Sequence, residues 1–233
     1  EYIYNRVKIP ILVGGTGFYI QAVLNDIAFT KEKQGDEIRA DLQNLAKEKG
    51  ASYLHHELQK VDKESAEAIH PNNIKRVIRA LEYFQSTGQK FSDHNKEERQ
   101  KGSPYNFLYL VLTMNRKVLY ERIDKRVDQM MEEGLVKEVK QLLDAGYSRN
   151  LVSMQGLGYK EIASALFKEC TMEEAVYRLK RDTRHFAKRQ MTWFRRERDV
   201  TMINKDNFSN NHEIVNYIMK LAVEKGICSC REG

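Results

Sequence analysis

The hydrophobic positions of the chain follow two periods. Near-continuous apolar runs occur in "RVKIPILVGG" (residues 6–15) and "YNFLYLVLTM" (residues 105–114), and a shorter run, "VTMIN", occupies residues 200–204. Such runs predict buried strands of a parallel sheet, because a strand covered on both faces shows no polar alternation. Most of the remaining chain repeats its apolar positions every three or four residues, which predicts amphipathic helices. The pattern therefore favours a helix-rich α/β fold.

A glycine-rich turn follows the first predicted strand. Gly14, Gly15, Thr16 and Gly17 precede a short helical run, and Thr16 stands at the N-cap position of that helix. A phosphate-binding loop is excluded here, since the chain contains no Gly-Lys dipeptide. A dinucleotide fingerprint also fails, because Ile20 stands where the third glycine is required. A structural turn is the favoured interpretation, and contact of the Thr16 hydroxyl or the free amides with an anion or a base edge is the alternative.

Between the first two strands the sequence predicts helices and no strand. They comprise "GDEIRADLQNLAKEKG" with Asp36 as its cap, one or two shorter helices over residues 51–69, and "HPNNIKRVIRALEYFQSTG" with Gly88 at its end. Residues 89–104 are rich in Lys, Glu, Asn, Gly and Ser and predict a mobile return linker. Beyond the second strand, Asn115 is expected to cap a long helix and Thr171 to open another through a capping box.

These changes along the chain predict an α/β core that is interrupted by a helical insertion. The predicted segments are 1–32 for the first part of the core, 33–105 for an inserted all-helical domain, 106–228 for the continuation of the core, and 229–233 for a tail.

Composition narrows the class of protein. With 41% hydrophobic residues, 31% charged residues and 3 prolines, the chain is typical of a helix-rich globular protein. No apolar run is long enough to span a bilayer and no signal-peptide pattern is present, so we expect a cytoplasmic protein without a membrane partner. The chain has three cysteines, Cys170, Cys228 and Cys230, and their number and spacing support neither a disulfide framework nor a metal site. The histidines, which include the pair His55 and His56, also form no metal-binding pattern, and we place them on the surface.

Charge is concentrated in one segment. The whole chain carries a net charge of +6, whereas "YRLKRDTRHFAKRQMTWFRRER", from Tyr177 to Arg198, holds nine Lys or Arg against two acids. Its second half interleaves cations with Gln190 and with Trp193, the one tryptophan of the chain. Cations suit phosphates and aromatic rings suit bases, so this segment predicts contact with a nucleic acid. The alternative is a solvated helix face, with Phe194 and its apolar neighbours in the core.

Three further patterns are weak by themselves. Arg122 and Arg126 lie four residues apart and therefore on one helix face, and "IKRVIR" groups Lys75, Arg76 and Arg79. A solvated helix face explains either pattern as well as a phosphate contact does. The segment "MQGLGYKEI" reads as a loop whose backbone can approach another molecule closely.

Taken in order, "IPILVGGTGFYIQAVL", "HPNNIKRVIRALE", "RIDKRVDQM", "QGLGYKEI" and "AKRQMTWFR" resemble the tRNA dimethylallyltransferase family, also called tRNA isopentenyltransferases. The resemblance is collinear from about residue 7 to residue 198. It implies a P-loop-kinase-like α/β core with an inserted helical domain. It also implies transfer of a dimethylallyl group from dimethylallyl diphosphate to the N6 amine of the adenosine next to the anticodon in tRNA, with Mg²⁺ held through the P-loop segment. A monomer is expected, although neither the residues nor the resemblance derives the oligomeric state.

The resemblance also implies roles for individual residues. Thr16 is expected in the reaction channel beside the flipped adenine, and Arg122 and Arg126 are expected to face the diphosphate, with Thr16 and Arg126 in the catalytic machinery. The residues implied as contacts to the tRNA anticodon stem-loop are Arg39, Lys75, Arg76, Arg79, Gln155, Gly156, Gly158, Tyr159, Lys160, Lys188, Arg189, Gln190, Trp193 and Arg195.

The sequence departs from the family pattern in one respect. The P-loop and the catalytic aspartate of the family lie upstream of the strand with which this chain begins, and neither motif occurs in the 233 residues. We therefore expect the first third of the usual architecture to be absent, and these residues alone to bind tRNA weakly without prenylating it. A non-catalytic RNA-binding remnant of such an enzyme is the alternative function.

Overall fold

The computed structural model describes residues 2–27, 35–100 and 102–229. The chain divides into two compact units: Phe18–Tyr105, here the helical unit, and Glu1–Gly17 together with Asn106–Gly233, here the mixed unit. The sequence-predicted domain boundary at residues 32 and 33, and Cys230 of the predicted tail, lie outside the described residues.

Helices make up the helical unit. They are α1 (Gly17–Leu24, which begins at the last residue of the mixed unit's first segment), α2 (Gly35–Lys49), α3 (Ala51–Val61), α4 (Lys63–Ala68), α5 (Ile74–Thr87) and α6 (Phe91–Gln100). Gly50 and Gly88 end α2 and α5 with positive φ angles of 85° and 71°, which glycine adopts without strain. The predicted apolar stripes supply the core, where Leu54, Leu58 and Val77 are almost completely buried. Asp36 lies inside the first turn of α2 and not at its cap.

The predicted mobile linker at residues 89–104 is wrong, because most of it is helix α6. Tertiary contacts stabilise this polar helix. The buried carboxylate of Asp62 accepts a hydrogen bond from the Ser65 amide (3.0 Å), which caps α4, and another from the Ser92 amide (2.8 Å) in the first turn of α6. Phe91 packs edge-on against Tyr83. The composition of residues 89–104 alone could not predict this helix, because the carboxylate that accepts from the Ser92 amide lies thirty residues away in the sequence.

His55 is a second correction to the sequence interpretation. It is half-buried, and its Nε2 lies 2.9 Å from the carbonyl oxygens of Ala66 and Ile69. The imidazole therefore ties α3 to the end of α4, and it is not a free surface group. His56, the next residue, is exposed as expected.

The mixed unit contains a small parallel sheet and five helices among its described residues. They are β1 (Tyr109–Thr113), α7 (Arg116–Glu132), α8 (Leu135–Asp144), α9 (Tyr159–Leu166), α10 (Met172–Phe194), β2 (Val200–Asn204) and α11 (Asn211–Glu224), with short 3-10 helices at Tyr4–Arg6, Val152–Gln155 and Lys205–Asn207. The strands pair in parallel from Tyr109 with Val200 to Thr113 with Asn204. Asn115 and Thr171 cap α7 and α10 by accepting hydrogen bonds from the backbone amides of Lys117 and Glu174, which confirms the two caps; at Thr171 only this half of the predicted capping box is observed.

The predicted strand at residues 9–13 does not form. These residues have no regular secondary structure, and Ile11 and Val13 are 83% and 87% exposed. A strand requires a neighbour for its amides, and in the described residues β1 and β2 pair with each other and not with this segment. The predicted cover on both faces of the sheet is also not observed: Tyr109 and Val111 of β1 are buried, whereas Leu112, on the opposite face, is exposed.

Packing of α7, α8, α9 and α10 forms the core of the mixed unit. Val139 and Ile162 are completely buried there, and Val127 and Leu179 join the outer helices to them. No helix within the described residues is long and apolar enough to cross a membrane. Cys170 and Cys228 are free thiols.

Candidate nucleic-acid interface

The cations of the basic segment from Tyr177 to Arg198, which spans most of α10 and the turn after it, fall into two groups. Those in the first part of the predicted basic segment are paired with acids, namely Arg178 with Glu174 (2.5 Å), Lys180 with Asp128 (2.5 Å), Arg181 with Asp182 (2.8 Å) and Arg184 with Asp124 (2.5 Å). Two of these acids belong to α7, so the two acids within the segment understate the acids that its cations meet. The pairs of Lys180 and Arg184 join α10 to α7, the pairs of Arg178 and Arg181 lie within α10, and each of the four cations is matched by one acid.

The remaining cations are available. Lys188, Arg189, Arg195, Arg196 and Arg198 are exposed and form no ion pair with any described residue. Arg189 also contacts a ring, because its guanidinium carbon lies 5.8 Å from the centre of the Phe186 ring. Five solvated cations within eleven positions form a surface suited to phosphates. The sequence resemblance had not assigned Arg196 or Arg198, although the charge pattern contains them.

Gln190 and Trp193 have a different environment from the cations around them. The Gln190 Nε2 donates a 2.7 Å hydrogen bond to the carbonyl oxygen of Gly15. The indole of Trp193 lies directly against Gly17, where a Cβ atom would overlap its Cδ1 and Nε1 atoms. Both residues were predicted as tRNA contacts, and the structure places them beside the backbone of the glycine-rich turn that carries Thr16. Thr16 itself is exposed and immediately precedes α1.

Two ionisable groups near this contact have raised pKa values. Burial raises the pKa of the Glu197 carboxyl, although a hydrogen bond from the Trp193 side chain opposes the shift. Burial, with a smaller contribution from the charge of Glu197, raises the pKa of the Tyr109 phenol to about 12. The Tyr109 hydroxyl has no hydrogen-bond partner among the described residues, and its ring packs edge-on against Phe194. Tyr109 is therefore neutral at physiological pH.

The predicted contact loop at 155–160 is held by internal hydrogen bonds. Gln155 donates from Nε2 to the carbonyl oxygen of Arg149 (2.6 Å), and the Gly158 amide donates to the buried carboxylate of Glu161 (2.9 Å). Gly158 needs its glycine, because its φ angle is 98°. The remaining residues of this loop also have local neighbours: the Tyr159 hydroxyl donates to Glu138, Lys160 lies 3.4 Å from Glu161, and Gly156 follows the 3-10 helix. The loop presents a fixed backbone with Gln155 and Gly156 exposed.

Arg122 and Arg126 lie on the exposed side of α7, as their spacing predicted. Arg126 forms an exposed ion pair with Glu133 (3.4 Å), whereas Arg122 has no ion-pair partner among the described residues. An open groove of about 750 Å³ runs along the first half of α7, and its lining residues are Asn115, Arg116, Lys117, Tyr120, Glu121, Asp124 and Arg184. Neither predicted diphosphate ligand lines this groove.

Four predicted contacts lie in the helical unit. Arg39 donates hydrogen bonds to the buried carboxylate of Glu82 from Nε (3.3 Å) and from Nη2 (2.8 and 2.9 Å). Arg79 forms an ion pair with the same carboxylate at 3.5 Å. Lys75 and Arg76 are exposed in the first turn of α5. Two of the four cations are thus oriented by a common acid. Glu82 was missed by the sequence reading, because a single glutamate in a helical stripe carries no signal of its own.

The sequence and the fold were compared with known proteins. The model of a family described as IPP transferase matches residues 1–197. The chain is 56% identical over 225 residues to a tRNA dimethylallyltransferase of Lachnoclostridium phytofermentans, which covers 97% of this chain and 72% of the relative. The match to a tRNA dimethylallyltransferase of Acetivibrio thermocellus is 48% identical and covers 92% of this chain and 69% of that relative. The chain belongs to the IPP transferase family.

Solved IPP transferase structures agree with this assignment. A tRNA isopentenylpyrophosphate transferase from Bacillus halodurans is 42% identical, with a TM-score of 0.63 over 97% of this chain and 70% of that chain. A eukaryotic dimethylallyltransferase acting on tRNA is 27% identical, with a TM-score of 0.73 over 94% of this chain and 59% of that chain. The sequence resemblance and the predicted fold class, a parallel-sheet α/β core with a helical part, are confirmed.

Proposed function

We propose that this IPP transferase family member transfers a dimethylallyl group from dimethylallyl diphosphate to the N6 amine of the adenosine adjacent to the anticodon in tRNA. The match of the family model to residues 1–197 carries this proposal. The group of unpaired cations at the end of α10 supports its RNA component, because phosphate contacts supply most of the affinity for a nucleic acid. The protein acts as a monomer in this proposal.

In the proposed reaction the adenine amine attacks the allylic carbon of the donor. A nitrogen–carbon bond forms, the carbon–oxygen bond to the diphosphate breaks, and the amine loses a proton to solvent or to a base that the described residues do not identify. Arg126, together with Arg122 one turn away, would stabilise the charge that develops on the departing diphosphate. Thr16 would lie beside the flipped adenine, where its hydroxyl can accept or donate a hydrogen bond.

Mg²⁺ has no site built from the described residues, which contain no group of three or more Asp, Glu, His or Cys side chains that could hold a metal ion. Mg²⁺ commonly takes one or two carboxylates and completes its shell with substrate phosphates and water. We propose Mg²⁺ as a partner of the diphosphate, and no step of the reaction is assigned to it here.

We also propose two tRNA-contacting surfaces. On the mixed unit, Lys188, Arg189 and Arg195 bind phosphates of the anticodon stem-loop, with the loop from Gln155 to Lys160 as a second contact. On the helical unit, within the proposed insertion at 33–105, the contacts are Arg39, Lys75, Arg76 and Arg79. Arg39 and Arg79 share the one carboxylate of Glu82, so this cluster keeps a net positive charge, unlike the one-to-one pairs of α10. The shared acid supports this role, because a guanidinium that is already oriented loses less conformational entropy when it binds a phosphate.

Salt-dependent binding tests the RNA component. We expect the affinity for an anticodon stem-loop RNA to fall steeply as the salt concentration rises. In a plot of the logarithm of the binding constant against the logarithm of the salt concentration, Arg189→Ala should reduce the magnitude of the slope by about 1. Arg178→Ala is the matched control, since Arg178 lies on the same helix but is paired with Glu174. Equal effects of the two substitutions would contradict the proposed division of α10.

Transfer activity is tested in an exchange enzyme, defined here as the Lachnoclostridium phytofermentans relative with its 225 matched residues replaced by those of this chain. We expect it to transfer labelled dimethylallyl from the diphosphate to tRNA. Absence of transfer, together with no measurable affinity of the exchange enzyme for dimethylallyl diphosphate, would favour the RNA-binding remnant instead. Transfer by the 233-residue chain alone would show that the expectation of inactivity was wrong.

A further inference from the structure

Helix α10 holds the backbone on both sides of Thr16. Gln190 donates a hydrogen bond to the carbonyl oxygen of Gly15, and the Trp193 indole covers Gly17. Gln190 and Trp193 are three positions apart, so they project from the same face of the helix. All five residues belong to the mixed unit.

The two glycines are required by this contact. A Cβ atom on Gly15 would overlap the side-chain amide of Gln190, and one on Gly17 would overlap the ring of Trp193. Neither glycine has a positive φ angle, so conformational freedom does not explain them. By contrast, a Cβ atom on Gly14 would meet nothing within 4 Å. Gly15 and Gly17 are therefore explained by the close approach of α10.

The indole is itself held in place. Burial raises the pKa of the Glu197 carboxyl, four positions further along the chain, and the nearby Trp193 side chain opposes this shift, so the two side chains are close together. The adjacent Phe194 is buried and packs against Tyr109 of β1. Trp193, which packs against the glycine-rich turn, is therefore connected to the sheet through its neighbour Phe194. Thr16 remains exposed between its two anchored neighbours.

We propose that Gln190 and Trp193 are positioning residues that fix the Thr16 hydroxyl for the reaction, and that they are not themselves the tRNA contacts. This inference rests on the proposed function, in which Thr16 lies beside the adenine. A displacement of about 1 Å in a group that orients a substrate costs on the order of 100-fold in rate. Anchoring the backbone on each side of one exposed side chain reduces such displacement.

Tryptophan fluorescence tests the contact in the chain itself, because Trp193 is the one tryptophan of the sequence. We expect Gly17→Ala to red-shift the emission and to increase quenching by acrylamide, since the added methyl group displaces the indole. Gly14→Ala is the matched control and leaves the spectrum unchanged. A spectrum of Gly17→Ala equal to that of the control would overturn the inference.

Titration with the anticodon stem-loop RNA separates the two roles of Trp193. A base stacked on the ring would quench the indole strongly, so the positioning role predicts little change in emission at saturating RNA. Loss of most of the emission on binding would assign Trp193 to the RNA and overturn the inference.

Kinetics of the exchange enzyme connect the contact to Thr16. We expect Gln190→Ala and Gly17→Ala each to lower kcat by about 10- to 100-fold with KM for tRNA unchanged, whereas Lys188→Ala raises that KM. Gln190→Glu keeps the shape but lacks the N–H donor, so it is expected to match Gln190→Ala. An increase in KM at constant kcat for the Gln190 variants would overturn the inference.

A double-mutant cycle adds an internal check. The loss of kcat caused by Gly17→Ala is expected to be smaller in a Trp193→Leu background, because the clash with the ring is then removed. Full additivity would contradict direct contact. Inactivity of the unmodified exchange enzyme would refute the proposed function. The fluorescence results on the chain would still decide whether Trp193 of α10 packs against the glycine-rich turn.

Discussion

Glu82 is a buried acid of the helical unit, and replacing it with glutamine tests whether it orients the arginines beside it. Its side chain is 2% exposed, whereas those of Arg39 and Arg79 are each 44% exposed. Glutamine has the same shape but no charge, and its NH₂ group would face the guanidinium donors. The substitution therefore removes a bidentate, charge-assisted contact. It also leaves the NH₂ group of the glutamine buried next to other hydrogen-bond donors.

The expected loss of stability in Glu82→Gln depends on how deeply Glu82 and its two arginine partners are buried. Breaking a fully buried ion pair costs about 3–5 kcal/mol, and a hydrogen bond to a charged group contributes about 1.5–3 kcal/mol. Since both arginines can be rehydrated, we expect the lower end, a loss of about 2 kcal/mol in the free energy of unfolding of the helical unit. The slowest amides of α5 should then exchange about 30-fold faster.

Hydrogen exchange measured by mass spectrometry on peptides of α5 (Ile74–Thr87) checks this value. Glu67→Gln is the matched control, because Glu67 is 68% exposed and lies 4.0 Å from Lys63. That pair is worth about 0–1 kcal/mol at most. Exchange of Glu82→Gln within about threefold of the control would refute the reasoning, since it would mean that the arginines were held by other contacts.

The same variant discriminates between net charge and orientation in RNA binding. Glu82→Gln removes a negative charge next to two proposed phosphate ligands, so Coulomb attraction alone predicts tighter binding of the stem-loop RNA. Loss of orientation predicts weaker binding, and this is the result we expect. Tighter binding would show that Arg39 and Arg79 need no positioning acid.

Three further predictions follow from single groups. Asp62→Ala should destabilise the helical unit by about 2 kcal/mol at pH 7 relative to Glu67→Gln in urea denaturation, because two amide caps are lost. Burial disfavours the Asp62 carboxylate, but hydrogen bonds from Ser65 and Ser92 outweigh this and lower its pKa. Its contribution is therefore present above the unfolded-state pKa of about 3.9 and is lost as the pH falls through the lowered folded-state value, so the two variants should converge in acid. Tyr109→Phe should leave the stability of the mixed unit unchanged or raise it by about 1 kcal/mol in the same assay, since the hydroxyl it removes is buried and unpaired, and a loss above about 1 kcal/mol would contradict this. Arg126→Ala in the exchange enzyme should weaken binding of dimethylallyl diphosphate about tenfold by calorimetry, whereas the exposed neighbour variant Lys125→Ala should not, and equal effects would remove Arg126 from the donor site.

Several elements were predictable because their signals are local. The end of α5 at Gly88, the caps at Asn115 and Thr171, and strand β2 depend on the chemistry of adjacent residues, and each occurs where the sequence predicted it. The basic character of α10 is likewise readable from composition. Helix α6 and His55 were misread because their stabilising partners are distant in sequence, on Asp62 and on the carbonyl groups that end α4.

The sequence by itself identified most of the helices, strands β1 and β2, the family and the presence of a positive segment. Only the tertiary structure decided which charges of that segment are free, because α7 neutralises Lys180 and Arg184 across the helix interface and leaves Lys188 onward solvated. It also decided what Gly15 and Gly17 are for. The sequence shows glycines in a turn, but whether a glycine is needed for its backbone angle or for the approach of another side chain depends on what packs against it, and that packing partner is 175 residues away from Gly15.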